Sequence, residues 1–205
     1  MKNNILLIGA GGHGLVLAEI AKLIGYKRIC FLDDEYDKDY PYDIIGGIND
    51  FLLYKDNYDF FISIGSNKSR RDIAAKIYSR HCKLVNLIHP SAIISDSAQL
   101  SEGIAIMPNT VINSKSKIGL GAIINTSTSI DHENIIGDFV HVSPGCHLGG
   151  QVSIDNMCWL GIGCNVINNI KICEECIIGA GSTIIKDIKK SGTYVGTPIR
   201  RVENR

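Results

Sequence analysis

Two stretches of this chain bring together residue types that can do chemistry. The first is Ile130-Asp131-His132-Glu133-Asn134. Histidine titrates nearer neutrality than other side chains, which suits it to general-base work. A carboxylate beside it can hold the useful tautomer and stabilise the imidazolium. The second stretch is Gly9-Ala10-Gly11-Gly12-His13-Gly14, with Asp33 and Asp34 further along. Glycines between a strand and a helix expose backbone N–H groups, and a helix N-terminus favours a phosphate or diphosphate. Gly9, Gly11 and Gly14 also fit G-x-G-x-x-G, the dinucleotide fingerprint.

The elements that must position His132 are written in a six-residue period. Ile88, Ile94, Leu100, Ile106, Ile112, Ile118, Ile124, Ile130, Ile136, Val142, Leu148, Ile154, Leu160, Val166, Ile172, Ile178 and Ile184 form an unbroken series of aliphatics. Ile, Leu and Val are 58 of the 205 residues, so chance would fill only about five of these seventeen positions; such a period predicts a parallel β-helix. Three hexads close a coil of eighteen residues, and coils stack at roughly 4.8 Å through backbone ladders. Each aliphatic points inward, and the stack rather than the single coil is the folding unit. The position four after each aliphatic is mostly small, as at Thr110, Ser116, Thr128, Cys146, Cys158, Cys164 and Cys176. The position one after is often Gly, Asn or Asp, as at Gly119, Asp131, Gly137 and Gly149, and is expected to supply the left-handed backbone of each corner. His132 falls on the coil exterior. Stacking by eighteen sets Gly150 above it, leaving a notch for a ligand, and pairs Lys115 with Glu133.

Before the ladder, strands and helices alternate. Residues 4–8 read as a buried strand, 15–24 as a helix capped by Gly25, and Arg28 to Leu32 as a second strand. Residues 35–58 read as a Tyr-rich loop with a short helix near Asp50–Tyr54. Phe60 to Ile64 read as a third strand, about Ser69 to Arg80 as a helix, and Leu84 to Leu87 as a further strand. This alternation predicts a small parallel sheet over residues 1–87, with the coil domain and its tail over 88–205. A region of this size is half of a full dinucleotide fold, and His13 would crowd a pyrophosphate bridge. The glycine loop is therefore expected to hold the diphosphate or nucleoside of one nucleotide, with Asp33 and Asp34 near a ribose or base.

Lys plus Arg and Asp plus Glu are 21 each, a balance that points to neither nucleic acid nor an anionic membrane as partner. No apolar run reaches a membrane-spanning length and residues 1–9 do not read as a signal peptide, so a cytoplasmic location is expected. Four of the seven cysteines sit at the small inward hexad position, where Cys serves as a small hydrophobe. Cys173 and Cys176 form a lone C-x-x-C without the second pair a metal needs.

The glycine loop, Phe31-Leu32-Asp33-Asp34, Asn125-Thr126-Ser127, Ile130-Asp131-His132-Glu133 and Phe139-Val140-His141-Val142-Ser143 together resemble the nucleotide-sugar acyltransferases of the left-handed β-helix superfamily. The likeness covers nearly the whole chain and is nearest to the PglD-type UDP-4-amino-sugar N-acetyltransferases of bacterial bacillosamine synthesis. The resemblance implies a Rossmann-like α/β domain followed by a left-handed parallel β-helix. It implies acetyl-CoA as cosubstrate, no metal, and a homotrimer with sites between coils. His132 would be the base and Glu133 its acidic neighbour, with Asn125 and Asp131 lining the site. His141, Gly150, Ile162, Ala180 and Arg200 would meet acetyl-CoA. Gly11, Gly12, His13, Asp33, Asp34 and Gly65 would hold the UDP- or dTDP-linked amino sugar. Relatives include dTDP-4-amino-sugar N-acetyltransferases and sialic acid O-acetyltransferases.

A different class on the same coil is a metal hydratase resembling the γ-type carbonic anhydrases, offering His132, His141 and His147. The latter two fall on different faces of the coil. A third class, a non-catalytic sugar sensor, leaves the Asp-His-Glu block without a purpose.

Overall fold

The computed structural model describes residues 2–35 and 39–202. The chain divides into two compact units, Met1–Pro90 and Ser91–Arg205.

The first unit carries a three-stranded parallel sheet of β1 (Asn4–Ile8), β2 (Arg28–Leu32) and β3 (Asp59–Ile62), in the order β2-β1-β3. Helix α1 (Gly12–Leu23) follows β1, and α2 (Asn67–Ser79) follows β3. The apolar run Ile5 to Ile8 is fully buried, as a central parallel strand requires. Gly25 adopts a positive φ just past α1, the helix stop expected of it. The short helix of the loop is a 3₁₀ segment at Ile48–Tyr54.

Two readings change. The expected strand at Leu84 to Leu87 is reduced to one bridge, Phe60 to Leu84, with a two-residue strand at Leu87–Ile88. Helix α1 begins three residues earlier than its apolar pattern suggests, at Gly12, so His13 lies in the helix and not in the loop. Of the loop 35–58, residues 36–38 lie outside the described ones.

The second unit is a β-helix of mostly two-residue strands in three sheets, parallel except where Arg200–Arg201 pairs antiparallel with Gly192–Val195. On the first face lie Ala105–Ile106, Ile123–Ile124, His141–Val142, Trp159–Leu160 and Cys176–Ile178, continued by Gly192–Val195 and Arg200–Arg201. The second face includes Val111–Ile112, Ser129–Ile130 and His147–Leu148, and the third Lys117–Ile118, Ile135–Ile136 and Ser153–Ile154. Up to Ile184 the paired strands are eighteen residues apart, as in Ile124 with Val142 and Ile130 with Leu148. From Ile106 to Ile184 every aliphatic of the series is at most 4% exposed. Ile88, Ile94 and Leu100 are only half-buried, since an end coil is covered by a stacked neighbour on one side only.

The corners differ from expectation in an instructive way. The left-handed residue stands three places after each aliphatic, not one. From Gly103 to Gly181 every sixth residue has φ between 55° and 71°, including Lys115, Glu133 and Gln151. Glycine one place after the aliphatic answers a different need, close approach of the next coil. A Cβ on Gly137 would lie 2.6 Å from Asn156 Oδ1, and one on Gly149 would lie 2.3 Å from Asn168 Oδ1.

The small inward positions are also more than small. Their donors reach the carbonyl fifteen residues ahead: Thr110 to Asn125, Ser116 to Asp131, Thr128 to Ser143, Cys146 to Gly161, Cys158 to Cys173 and Cys164 to Gly179, at 2.7–3.2 Å. The buried cysteines thus cap corner carbonyls as weak S–H donors. All seven are free.

Candidate active site

His132 stands at the corner between the second and third faces. Its Nδ1 lies 3.2 Å from Glu133 Oε2. A carboxylate only accepts, so the neutral ring carries its proton on Nδ1 and keeps the Nε2 lone pair. Glu133 also accepts from Gln151 Nε2 of the next coil at 3.2 Å. These two bonds, with Lys115 nearby, hold its carboxyl below the usual carboxylate range. Asp131 turns away from the ring: its Oδ1 accepts from the His132 backbone N–H and from Asn113 Nδ2, so it shapes the corner. The imidazole itself fills the notch over Gly150. A Cβ there would lie 2.5 Å from His132 Nε2 and 2.6 Å from Cε1.

A second cluster occupies the first face and the corner that follows it. Asn125 Nδ2 donates to His141 Nε2 at 3.2 Å, and Asn125 Oδ1 accepts from the Thr126 backbone N–H. The His141 ring stacks on Trp159 with centroids 6.1 Å apart, and Trp159 Nε1 donates to Ser143 Oγ. Ile162 and Ala180 are exposed and stack on successive coils at that corner, and Arg200 is exposed on the strand paired with Val195. The structure therefore brings His132, Glu133, Asp131 and Gly150 together and places Asn125 with His141. It does not bring the two groups together within one chain. His147, the third histidine of the hydratase reading, is on the second face, bonded to Ser129 Oγ. Among the described residues no three His, Cys, Asp or Glu side chains converge as metal ligands.

In the first unit, Gly11 and Gly12 are exposed at the start of α1. Gly14 is packed so closely that a Cβ would lie 2.5 Å from Gly9 O. Asp33 accepts from the Ala10 and Glu35 backbone N–H groups, and Asp34 from that of Ile48. Both thus fasten the loops that surround the glycine turn. His13 Nε2 is buried without a hydrogen-bond partner. Burial and then the charge of Arg70 lower its pKa to about 4, so the ring is neutral. Arg70, 2% exposed, donates to Gly65 O at 2.7 Å and to Asn67 Oδ1, and burial lowers its pKa to about 9. Arg70, Asn113, Asn134 and Gln151 escape a reading based on motifs. Asn113 and Gln151 are recoverable from the eighteen-residue register, which sets Asn113 beside Asp131 and Gln151 beside Glu133.

Residues 4–77 match the family described as PglD N-terminal domain. The chain is 33% identical over 110 residues to the UDP-N-acetylbacillosamine N-acetyltransferase of Bacillus subtilis, an alignment spanning about half of each protein (51% and 51%). It superposes with a TM-score of 0.94 on a perosamine N-acetyltransferase from Caulobacter crescentus solved with CoA and GDP-perosamine, at 31% identity, covering 98% of this chain and 97% of that one. The acetyltransferase domain of PglB from Neisseria gonorrhoeae, solved with acetyl coenzyme A, gives 0.93 at 34% identity, covering 98% and 100%. With a relative matched over its full length above 30% identity, and with a β-helix that superposes throughout, the chain belongs to the PglD-type, acetyl-CoA-dependent sugar N-acetyltransferases of the left-handed β-helix fold.

Proposed function

We propose that this protein moves an acetyl group from acetyl-CoA to the 4-amino group of a UDP-linked amino sugar of the bacillosamine type. The observation that carries the catalytic part is His132, with Nδ1 on Glu133 and Nε2 left as a base. The sugar amine attacks the thioester carbonyl, and the C–N bond forms while Nε2 takes the N–H proton. The tetrahedral oxyanion is met by the Gly150 N–H, which no hydrogen bond engages among the described residues. Collapse breaks the C–S bond, and His132 returns its proton to the departing CoA sulfur. No metal is needed.

His132 and the His141–Asn125 cluster lie on different parts of the coil. A site that uses both draws them from two copies, which supports the homotrimer. Asn125 and His141 then act on the acetyl-CoA bound against the partner's His132. Ile162 and Ala180 offer apolar surface to the cosubstrate, and Arg200 a cation to its phosphates. In the first unit the exposed N–H groups of Gly11 and Gly12 suit the diphosphate, with His13, Asp33, Asp34 and Gly65 around it. No helix among the described residues is long and apolar enough to cross a membrane. We place the enzyme in the cytoplasm, where its cosubstrate is made.

The base of the nucleotide is the open choice among relatives: the Bacillus subtilis protein is named for a UDP sugar and the Caulobacter crescentus structure holds GDP-perosamine. Release of CoA thiol with UDP-, GDP- and dTDP-4-amino sugars tests it. The UDP sugar should give the highest kcat/KM, and preference for either other nucleotide would refute the assignment.

A further inference from the structure

We infer that Asn134 is a positioning residue for the His132 base, an inference that rests on His132 being that base. Asn134 occupies the inward position that in other hexads carries Ser, Thr, Cys, Ala, Val or Ile, and it is fully buried. Like its counterparts it reaches fifteen residues ahead, Nδ2 donating to Gly149 O at 2.9 Å. Unlike the hydroxyl of Ser116 one coil earlier, it also turns back on its own corner. The same Nδ2 donates to Asp131 O at 2.7 Å and lies 3.3 Å from His132 O. One buried amide thus ties the turn that carries His132 to the strand end beside Gly150, the residue against which the imidazole lies.

Satisfying backbone groups does not account for this arrangement. Asp131 O already accepts from Ser116 Oγ at 2.7 Å, and His132 O accepts from the Gln151 backbone N–H at 2.9 Å. The Asn134 amide meanwhile leaves its own Oδ1 buried without a partner, a cost that a serine there would not carry. A stability-neutral explanation would favour the hydroxyl used one coil earlier at Ser116. The amide adds geometry: it fixes the spacing of the His132 turn from Gly150, and so the direction of Nε2.

The test is Asn134→Ser, with Asn134→Cys as a second variant, since both side chains occur at this position in other coils. Either retains a donor for Gly149 O and removes the back-bonds. The expected result is a kcat lower by roughly ten- to hundredfold, the scale of a misplaced catalytic group. KM for acetyl-CoA and Tm should be unchanged, or Tm higher. Cys158→Ser, at the same hexad position of a corner without a histidine, should leave kcat alone. In a His132→Ala background Asn134→Ser should cost nothing further. Equal losses in both backgrounds, or unchanged kcat beside an inactive His132→Ala, would overturn this inference alone. Near-normal turnover by His132→Ala would overturn the base reading and this inference with it.

Discussion

The proposed base, His132, has three neighbours that act differently. Glu133 sets the tautomer, Asp131 holds the backbone of the turn, and Gly150 supplies the flat surface on which the ring lies. The last is the easiest to test without touching a titratable group. Gly150→Ala places a methyl 2.5 Å from Nε2, so the ring must move, and kcat should fall by roughly tenfold or more. Gly150 does not need a left-handed backbone, so Tm should drop by only a few degrees; thermal melts and steady-state rates on one preparation check both. Glu133 stays ionised to lower pH than an ordinary carboxylate. His141→Ala should raise the KM for acetyl-CoA, because its ring is held by Asn125 and Trp159 rather than near the base.

At the scale of elements, the six-residue period made the coil legible, because only an inward side chain every sixth residue fills a triangular core. The corners were less legible. Nine of the left-handed positions between Gly103 and Gly181 carry residues other than glycine, so composition pointed to the wrong place, where glycine serves close stacking instead. Bonds reaching fifteen residues ahead escaped for a similar reason: Ser, Thr and Cys read as small before they read as donors. In the first unit, the apolar pattern of α1 starts at Leu15, yet the helix starts at Gly12 because its first turn needs no apolar face. That shift puts His13 in the helix with its Nε2 buried. Its folded pKa, about 4, lies below that of the unfolded chain. The unfolded state therefore binds a proton that the native state refuses, and stability is lost as pH falls from about 6.5 to about 4, by about 3 kcal/mol at most. Melting temperature measured across that window should fall more steeply for the wild type than for His13→Leu, and equal slopes would count against a buried neutral ring.

Across the whole molecule, the proposed function divides the work between the two units by chemistry. The proposal gives the exposed Gly11 and Gly12 turn of the first unit to the anionic substrate, and His132 and the His141 face of the coil to the base and the cosubstrate. Opposite formal charges balance at 21 each, so attraction of a nucleotide sugar rests on local groups rather than on a global field. The residues of both coil clusters, around His132 and around His141, were visible in the sequence as motifs. Their separation within one chain was not, because the His132 corner and the His141 face are assigned only when hexads are placed on faces. The most direct measurement is CoA release by His132→Ala at saturating acetyl-CoA and UDP-4-amino sugar. Base catalysis by His132 predicts a kcat lower by about 10²–10⁴-fold with an unchanged KM for acetyl-CoA; near-normal turnover by the folded variant would contradict it.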